Sequence, residues 1–230
     1  MSEFDQSVET SWAKVLELEK EDNSVFKIDQ TETISRKLPS GRVLLFNPKT
    51  NTKKVCPELK EASQEIFQLF DENKFNFTKV KPEEILFYVD LENEEVISTE
   101  EKQKRDAEEG EEALEKEISE DYLHPVIINA RPVAPYHLLI PLSIDEGLPQ
   151  VISLDLINLL LQVFVLSKNP NLRICYNSLG AASSVNHLHF QTIYTDKLML
   201  GSDKLPIEEA ETAELYSTPL ENDEVDVFTV

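Results

Sequence analysis

His187, His189 and Gln191 stand two residues apart, separated by Leu188 and Phe190. The run after Val185 is apolar at alternate positions and rich in strand formers, which reads as a strand. Alternate side chains of a strand share a face. The three polar groups then point one way, with neighbours about 6.5–7 Å apart, a span that suits a phosphate group. Leu188 and Phe190 point to the core. A neutral imidazole can attack phosphorus and form a covalent intermediate. Gly180, Ser183 and Ser184 lie in a small, polar loop before the strand, where backbone N–H groups can approach an anion closely. Nucleophile, amide and anion cradle in one stretch point to nucleotidyl or phosphoryl chemistry. A bare His-x-His also describes half a metal site, or polar residues on an exposed strand. The preceding loop gives the motif its weight, and two of the chain's four histidines sit in it.

The remaining elements must position this stretch. Residues 5–20 predict a short amphipathic helix with Trp12, Val15, Leu16 and Leu18 as its apolar stripe. Arg42–Phe46 reads as a strand stopped by Asn47-Pro48. Glu61–Phe70 reads as a helix with Ile66, Leu69 and Phe70 on one side. Lys74–Lys79 alternates basic or polar with aromatic residues. If that segment is extended, Lys74, Asn76 and Thr78 face one way and Phe75 and Phe77 the other. Glu84–Val89, Pro125–Ile128, Tyr136–Pro141 and Leu172–Tyr176 are further strands. Residues 153–167 predict a helix with Leu154, Ile157, Leu160, Leu161 and Phe164 at helical spacing and Ser153 as its cap. Strands joined mostly by short turns, with one main helix crossing the sheet, give an α+β class. Strands and helices do not alternate regularly enough for a doubly wound α/β sheet. No internal repeat is present.

The 230 residues can bury one sizeable core, with tails. The net charge of −22 argues against nucleic acid and anionic membrane as partners. Leu91–Asp121 holds fourteen acidic and four basic residues, a net of −10, and reads as a disordered or solvent-exposed helical insertion. The tail beyond Leu205 is acidic and has little to pack. No apolar run reaches the length of a membrane-spanning helix, and the acidic N-terminus lacks a signal-peptide core. Cys56 and Cys175 form no framework and are expected as free thiols in a reducing cytosol.

Read together, these blocks resemble the GDP-hexose phosphorylases, the animal GDP-D-glucose and plant GDP-L-galactose enzymes. These belong to the histidine-triad superfamily, in the branch of galactose-1-phosphate uridylyltransferase. The resemblance is carried by Tyr176–Ala181 leading into Asn186–Gln191. It extends to Phe70-Asp71, Lys74–Val80 and Glu83–Phe87. A third block comprises Asn129, Pro132, Tyr136-His137, Leu139–Pro141 and Gly147–Gln150. It implies a histidine-triad-like domain over residues 1–200, interrupted by the acidic insertion at 91–121, and an acidic tail over 201–230.

The implied reaction is GDP-hexose plus inorganic phosphate to GDP plus hexose 1-phosphate. The resemblance makes His189 the nucleophile of a guanylyl-histidine, with His187 orienting it and contacting phosphate. Gln191 stands where hydrolytic relatives carry a third histidine. An amide can hydrogen-bond a phosphoryl oxygen but cannot titrate, which favours transfer to phosphate over hydrolysis. Phosphoryl-type transfer needs its charge met by fixed donors and cations. The candidates are Lys74, Lys79, Arg173, Asn177 and the amides from Gly180 to Ser184. The role of His137 stays open, because the block before Leu139 is one residue shorter than the plant pattern. Phe75 and Phe77 are read as core residues, with guanine stacking as the alternative. The histidine motif requires neither metal nor cofactor.

Three departures from the family stand out. Only 39 residues follow Gln191, so the family's C-terminal region is expected to be missing. Lysines occupy positions 49, 53 and 54 where arginines are expected, and lysine lacks the bidentate grip. The third is the shortened block at His137. The competing readings are a truncated, inactive relative that binds nucleotide or a protein, and a nucleotide hydrolase of the same superfamily. The oligomeric state is open; relatives of the superfamily often form homodimers.

Overall fold

The computed structural model describes residues 1–20, 34–38, 43–46, 68–112, 123–129, 132–181, 183–198, 204–205, 208, 216–218 and 227–229. Cys56, the three lysines at 49, 53 and 54, and most of the helix expected over Glu61–Phe70 lie outside them. Gln68–Phe70, which are described, are not helical.

The class is α+β. Helix α1 (Glu3–Lys20) opens the chain. A two-stranded antiparallel pair follows, β1 (Ile34–Lys37) with β2 (Val43–Phe46). The main sheet is antiparallel and six-stranded. It comprises β3 (Ile85–Asp90), β4 (Glu95–Ser98), β5 (Leu123–Ile128), β6 (Leu138–Pro141), β7 (Leu172–Cys175) and β8 (His189–Tyr194), in the order β4-β3-β5-β6-β8-β7. Helix α2 (Thr99–Glu112) follows β4, and α3 (Leu154–Leu166) links β6 to β7. Near the end, β9 (Tyr216–Thr218) pairs with β10 (Val227–Thr229). No helix among the described residues is long and apolar enough to cross a membrane.

Strand alternation gives the sheet two different faces. Phe87, Val89, Val126, Ile128, Leu138, Ile140, Phe190 and Tyr194 point to one side, where α1 and α3 cover them with Phe4, Val8, Trp12, Leu156 and Val163. The α1 stripe therefore starts earlier than the sequence predicts. It runs Phe4, Val8, Trp12, Val15 at spacings of four, four and three, while Leu16 and Leu18 are exposed. Phe4 meets Phe87 edge-on at 5.7 Å, and Trp12 meets Tyr136 at 5.5 Å. Asp5 anchors the helix. Its carboxylate accepts from Ser167 Oγ at 2.5 Å, Lys168 N–H at 2.9 Å and Ser2 Oγ at 2.7 Å.

Helix α3 has the predicted bounds, and Ser153 caps it by accepting from Leu156 N–H at 3.2 Å. Its predicted inward stripe is mostly outward. Leu154, Ile157, Leu161 and Phe164 are exposed, and Leu156 and Val163 face the core. Only Asp155, Asn158 and Gln162 interrupt an otherwise apolar helix, so its polar stripe is narrow and fixes the buried face only loosely.

The acidic insertion is only partly a solvated excursion. The Asp90 carboxylate accepts from Glu92 N–H and Asn93 N–H, both at 3.0 Å, which turns the chain and returns it as edge strand β4. Ile97 of β4 is buried. Helix α2 follows, mostly exposed from Thr99 to Ala107 and supported by Lys102–Asp106 and Glu101–Arg105 pairs one turn apart.

Candidate active site

The opposite face of the sheet carries His189 and Gln191, paired in register with Pro141 and Leu139 of β6. Three loops rise over it, at 68–84, 142–153 and 176–188. Lys74–Lys79 is not extended as the alternation predicts. The Asn76 side chain accepts from Thr78 N–H at 3.1 Å and donates to Glu72 O and Lys74 O, which bends the segment into a short 3-10 turn over Phe77–Lys79. Asn76 and Phe77 are buried, and Phe75 is exposed. The Phe77 ring lies 5.0 Å from the His189 ring and 5.5 Å from that of His187. Phe70 packs on His187 at 4.8 Å. Gly147 makes room for Phe70: its φ is +59°, and a Cβ there would sit 2.9 Å from Phe70 Cδ1.

The strand begins at His189, two residues later than the motif suggests, so His187 belongs to the entering loop. Its imidazole is fully enclosed and committed. Nδ1 accepts from Phe77 N–H at 3.0 Å, and Nε2 donates to Ile144 O at 3.1 Å. With both nitrogens held by backbone, the side chain ties two loops together rather than reaching for phosphate. Its backbone carbonyl does the orienting, because His189 Nδ1–H donates to His187 O at 2.7 Å. That bond fixes the tautomer and leaves Nε2 of His189 as the lone-pair nitrogen. Burial holds His189 below the usual histidine range; the bond to His187 O opposes this and the His187 ring reinforces it. The neutral, nucleophilic form therefore dominates near pH 7.

Gln191 is held at both ends. His137 Nδ1 accepts from Val133 N–H at 3.0 Å, so its proton sits on Nε2, which donates to Gln191 Oε1 at 2.7 Å. The Asn129 carboxamide lies against both groups, 3.0 Å from His137 Nε2 and 3.4 Å from the same oxygen. Gln191 Nε2 donates to Asn177 Oδ1 at 3.0 Å, and Asn177 Nδ2 to Ala181 O at 2.9 Å. Burial pushes the His137 pKa down against the opposing bond to Gln191, so this neighbour is also neutral. His137, whose role the sequence left open, thus sets the direction of the Gln191 amide.

Gln150 was given no site role from the sequence, yet it is 2% exposed. Its Oε1 accepts from His189 N–H at 2.9 Å, and its Nε2 donates to His189 O at 3.0 Å and Asn177 O at 2.9 Å. The Gly147–Gln150 block was part of the resemblance, but nothing in it assigned the glutamine a place beside His189.

The expected anion-binding groups are placed less centrally. Gly180 lies in the short turn Leu179–Ala181. The N–H groups of Ala181 and Ser183 both donate to Ser178 O, Ser183 Oγ donates to Val185 O, and Ser184 is exposed. The three candidate cations are engaged elsewhere. Lys79 Nζ bonds Glu72 O and Lys74 O, Lys74 lies 3.8 Å from Asp71, and Arg173 pairs with Glu208 at 2.6 Å. The last contact ties one residue of the acidic tail to the sheet. Cys175 is a free, half-buried thiol whose pKa burial pushes up. A half-open cleft of about 240 Å³ flanks the histidines on the Phe77 and Ile144 side, lined also by Tyr88, Lys102, Pro125 and Asp145.

Comparison with known proteins gives this arrangement a context. GDP-L-galactose phosphorylase 2 of Arabidopsis thaliana is 31% identical over 197 residues, which cover 84% of this chain and 42% of that protein. GDP-D-glucose phosphorylase 1 of Bos taurus is 29% identical over 213 residues, and that of Homo sapiens 27% over 211. Each alignment covers 91% of this chain and 46% of the relative. The chain thus spans less than half the length of these relatives. No solved structure matches it. The profile described as GDPGP1-like, N-terminal domain, matches residues 3–193. That span runs from the first turn of α1 nearly to the end of β8 and takes in both site histidines, Gln150 and Gln191, so the chain belongs to the GDPGP1-like family.

Proposed function

We propose that the chain is a GDP-hexose phosphorylase acting through a guanylyl-histidine. Nε2 of His189 attacks the α-phosphorus of the GDP-hexose. The bond from that phosphorus to the bridging oxygen breaks, and hexose 1-phosphate leaves. An oxygen of inorganic phosphate then attacks the same phosphorus, the nitrogen–phosphorus bond breaks, and GDP departs with His189 restored. The observation that carries the reading is the Nδ1–H···O=C bond from His189 to His187 O, which presents a neutral imidazole with its lone pair on Nε2. The names of the matched relatives supply the substrate class, with GDP-D-glucose as the first substrate to test.

Gln191 suits such a site. Its carbonyl is taken by His137 and one amide hydrogen by Asn177. The second amide hydrogen is the donor for a phosphoryl oxygen, and the neutral amide cannot take a proton from water as a general base would. The flanking cleft sets two carboxylates, Asp145 and Glu146, against one cation, Lys102, which is paired with Asp106, so the phosphoryl groups belong at the histidine end and the neutral parts of the substrate in the cleft.

The test incubates the folded chain with GDP-D-glucose, with and without inorganic phosphate, and separates the nucleotides. GDP formed only with phosphate, and lost in His189→Ala, is the expected result. GMP formed without phosphate would mean hydrolysis. No product from a folded sample would make the chain a non-catalytic relative.

A further inference from the structure

Strand β7 ends at Cys175, opposite Gln191. Continued in register, it would bring Asn177 opposite His189 two residues on. The chain instead departs into the 176–188 loop. That departure leaves the backbone N–H and C=O of His189 and the C=O of Asn177 without a strand partner, and each buried orphan of this kind costs about 1–3 kcal/mol. The Gln150 carboxamide fills the gap. It bonds both backbone groups of His189 and the Asn177 carbonyl, at 2.9, 3.0 and 2.9 Å. Its own backbone is fixed as well, donating to Asn186 Oδ1 at 3.0 Å and accepting from Tyr176 O–H at 2.9 Å. Every hydrogen-bonding group of residue 150 is thereby used.

We propose that Gln150 is a positioning residue that replaces a missing strand residue and so holds His189 against the His187 carbonyl, with Nε2 as the attacking nitrogen. Through the Asn177 backbone it also sets the acceptor that turns the Gln191 amide. The inference rests on the reading of His189 as nucleophile. A shift of the His189 backbone by a fraction of an ångström stretches the Nδ1–H···O bond and lets the proton move to Nε2, where the imidazole cannot attack.

The experiment compares wild type with Gln150→Met, Gln150→Glu and a remote core control, Val163→Ala. It reads the His189 tautomer by long-range nitrogen–proton NMR correlations, and kcat and KM for phosphate-dependent GDP release from GDP-D-glucose. In Gln150→Met the Nε2–H tautomer is expected to appear and kcat to fall about 100-fold with KM little changed. In Gln150→Glu the loss should deepen as the carboxyl ionises, because a carboxylate accepts from His189 N–H but repels the two carbonyls. Val163→Ala should lose stability and keep the tautomer. Folded Gln150 variants with the wild-type tautomer and kcat would overturn the proposal. If Gln150→Met fails to fold, Gln150→Glu provides the comparison, with its neutral carboxyl close to wild type and its ionised form showing the loss. Should the wild type release no GDP, the catalytic reading fails by itself and the tautomer still decides the role of Gln150.

Discussion

Replacing Asp5 by alanine tests how α1 is held to the domain. The Asp5 carboxylate is buried, yet it accepts from Ser167 Oγ and Lys168 N–H, more than 160 positions away, and from Ser2 Oγ nearby. Burial works to raise its pKa, but the bonds from Ser167, Ser2 and Lys168 outweigh it and hold the carboxyl below the usual range. Two long-range hydrogen bonds to a charged group, at about 1.5 kcal/mol each, put the cost of Asp5→Ala near 3 kcal/mol. Asp5→Asn keeps an acceptor and should cost about half of that. Trp12, the single tryptophan, is buried on the same helix, so its fluorescence in urea reports undocking directly. The carboxyl is more acidic folded than unfolded. Its stabilisation is therefore full above an unfolded value of about 4 and disappears as pH falls through the lower, folded value. The gap between wild type and Asp5→Ala should close below pH 4. A loss under about 0.5 kcal/mol at pH 7, or a gap unchanged down to pH 2, would refute the reasoning.

Three further outcomes follow from the geometry. Gly147→Ala should cost about 1–2 kcal/mol, from a left-handed φ and a Cβ pressed on Phe70, and should shift the His187 ring resonances in NMR. His124 is buried with Nε2 unpaired, and burial pushes its pKa down to about 4 against the opposing charge of Asp90. The unfolded chain takes up this proton below about pH 6.5 and the folded one does not, so stability should fall from pH 6.5 to 4; His124→Phe should flatten that slope by up to about 3 kcal/mol in denaturation curves. On α3, Phe164→Gln should change stability by less than about 0.5 kcal/mol, whereas Leu156→Ala should cost about 3 kcal/mol; the reverse ranking would restore the orientation predicted from sequence.

Much of this architecture was legible where a local rule and the tertiary context agree. Ser153 marked the start of α3, and the placement of Leu188 and Phe190 in the core came from strand alternation. The failures have specific physical causes. The orientation of α3 is fixed by what the sheet offers, and its narrow polar stripe of Asp155, Asn158 and Gln162 leaves several apolar faces to choose from. The alternation at 74–79 lost to Asn76, whose short side chain satisfies the local backbone better than a neighbouring strand would. Strand β4 was hidden because Val96 and Ile97 are two apolar residues among glutamates. In the site, His187 and His189 look equivalent by type and spacing, and only the family resemblance separated them. One becomes structural because two loops send a backbone donor and a backbone acceptor to its ring, and only long-range geometry reveals that.

The docking of α1 also has a consequence in time. Phe4, Val8 and Trp12 leave the ribosome well before the groups that receive them: Phe87, Tyr136, and Ser167 with Lys168 at the close of α3. Contacts so distant in sequence form slowly, since the intervening loop must close before they contribute. Helix α1 therefore gains its packing late, and until then its apolar stripe stands open on the nascent chain, where chaperones and aggregation compete for it.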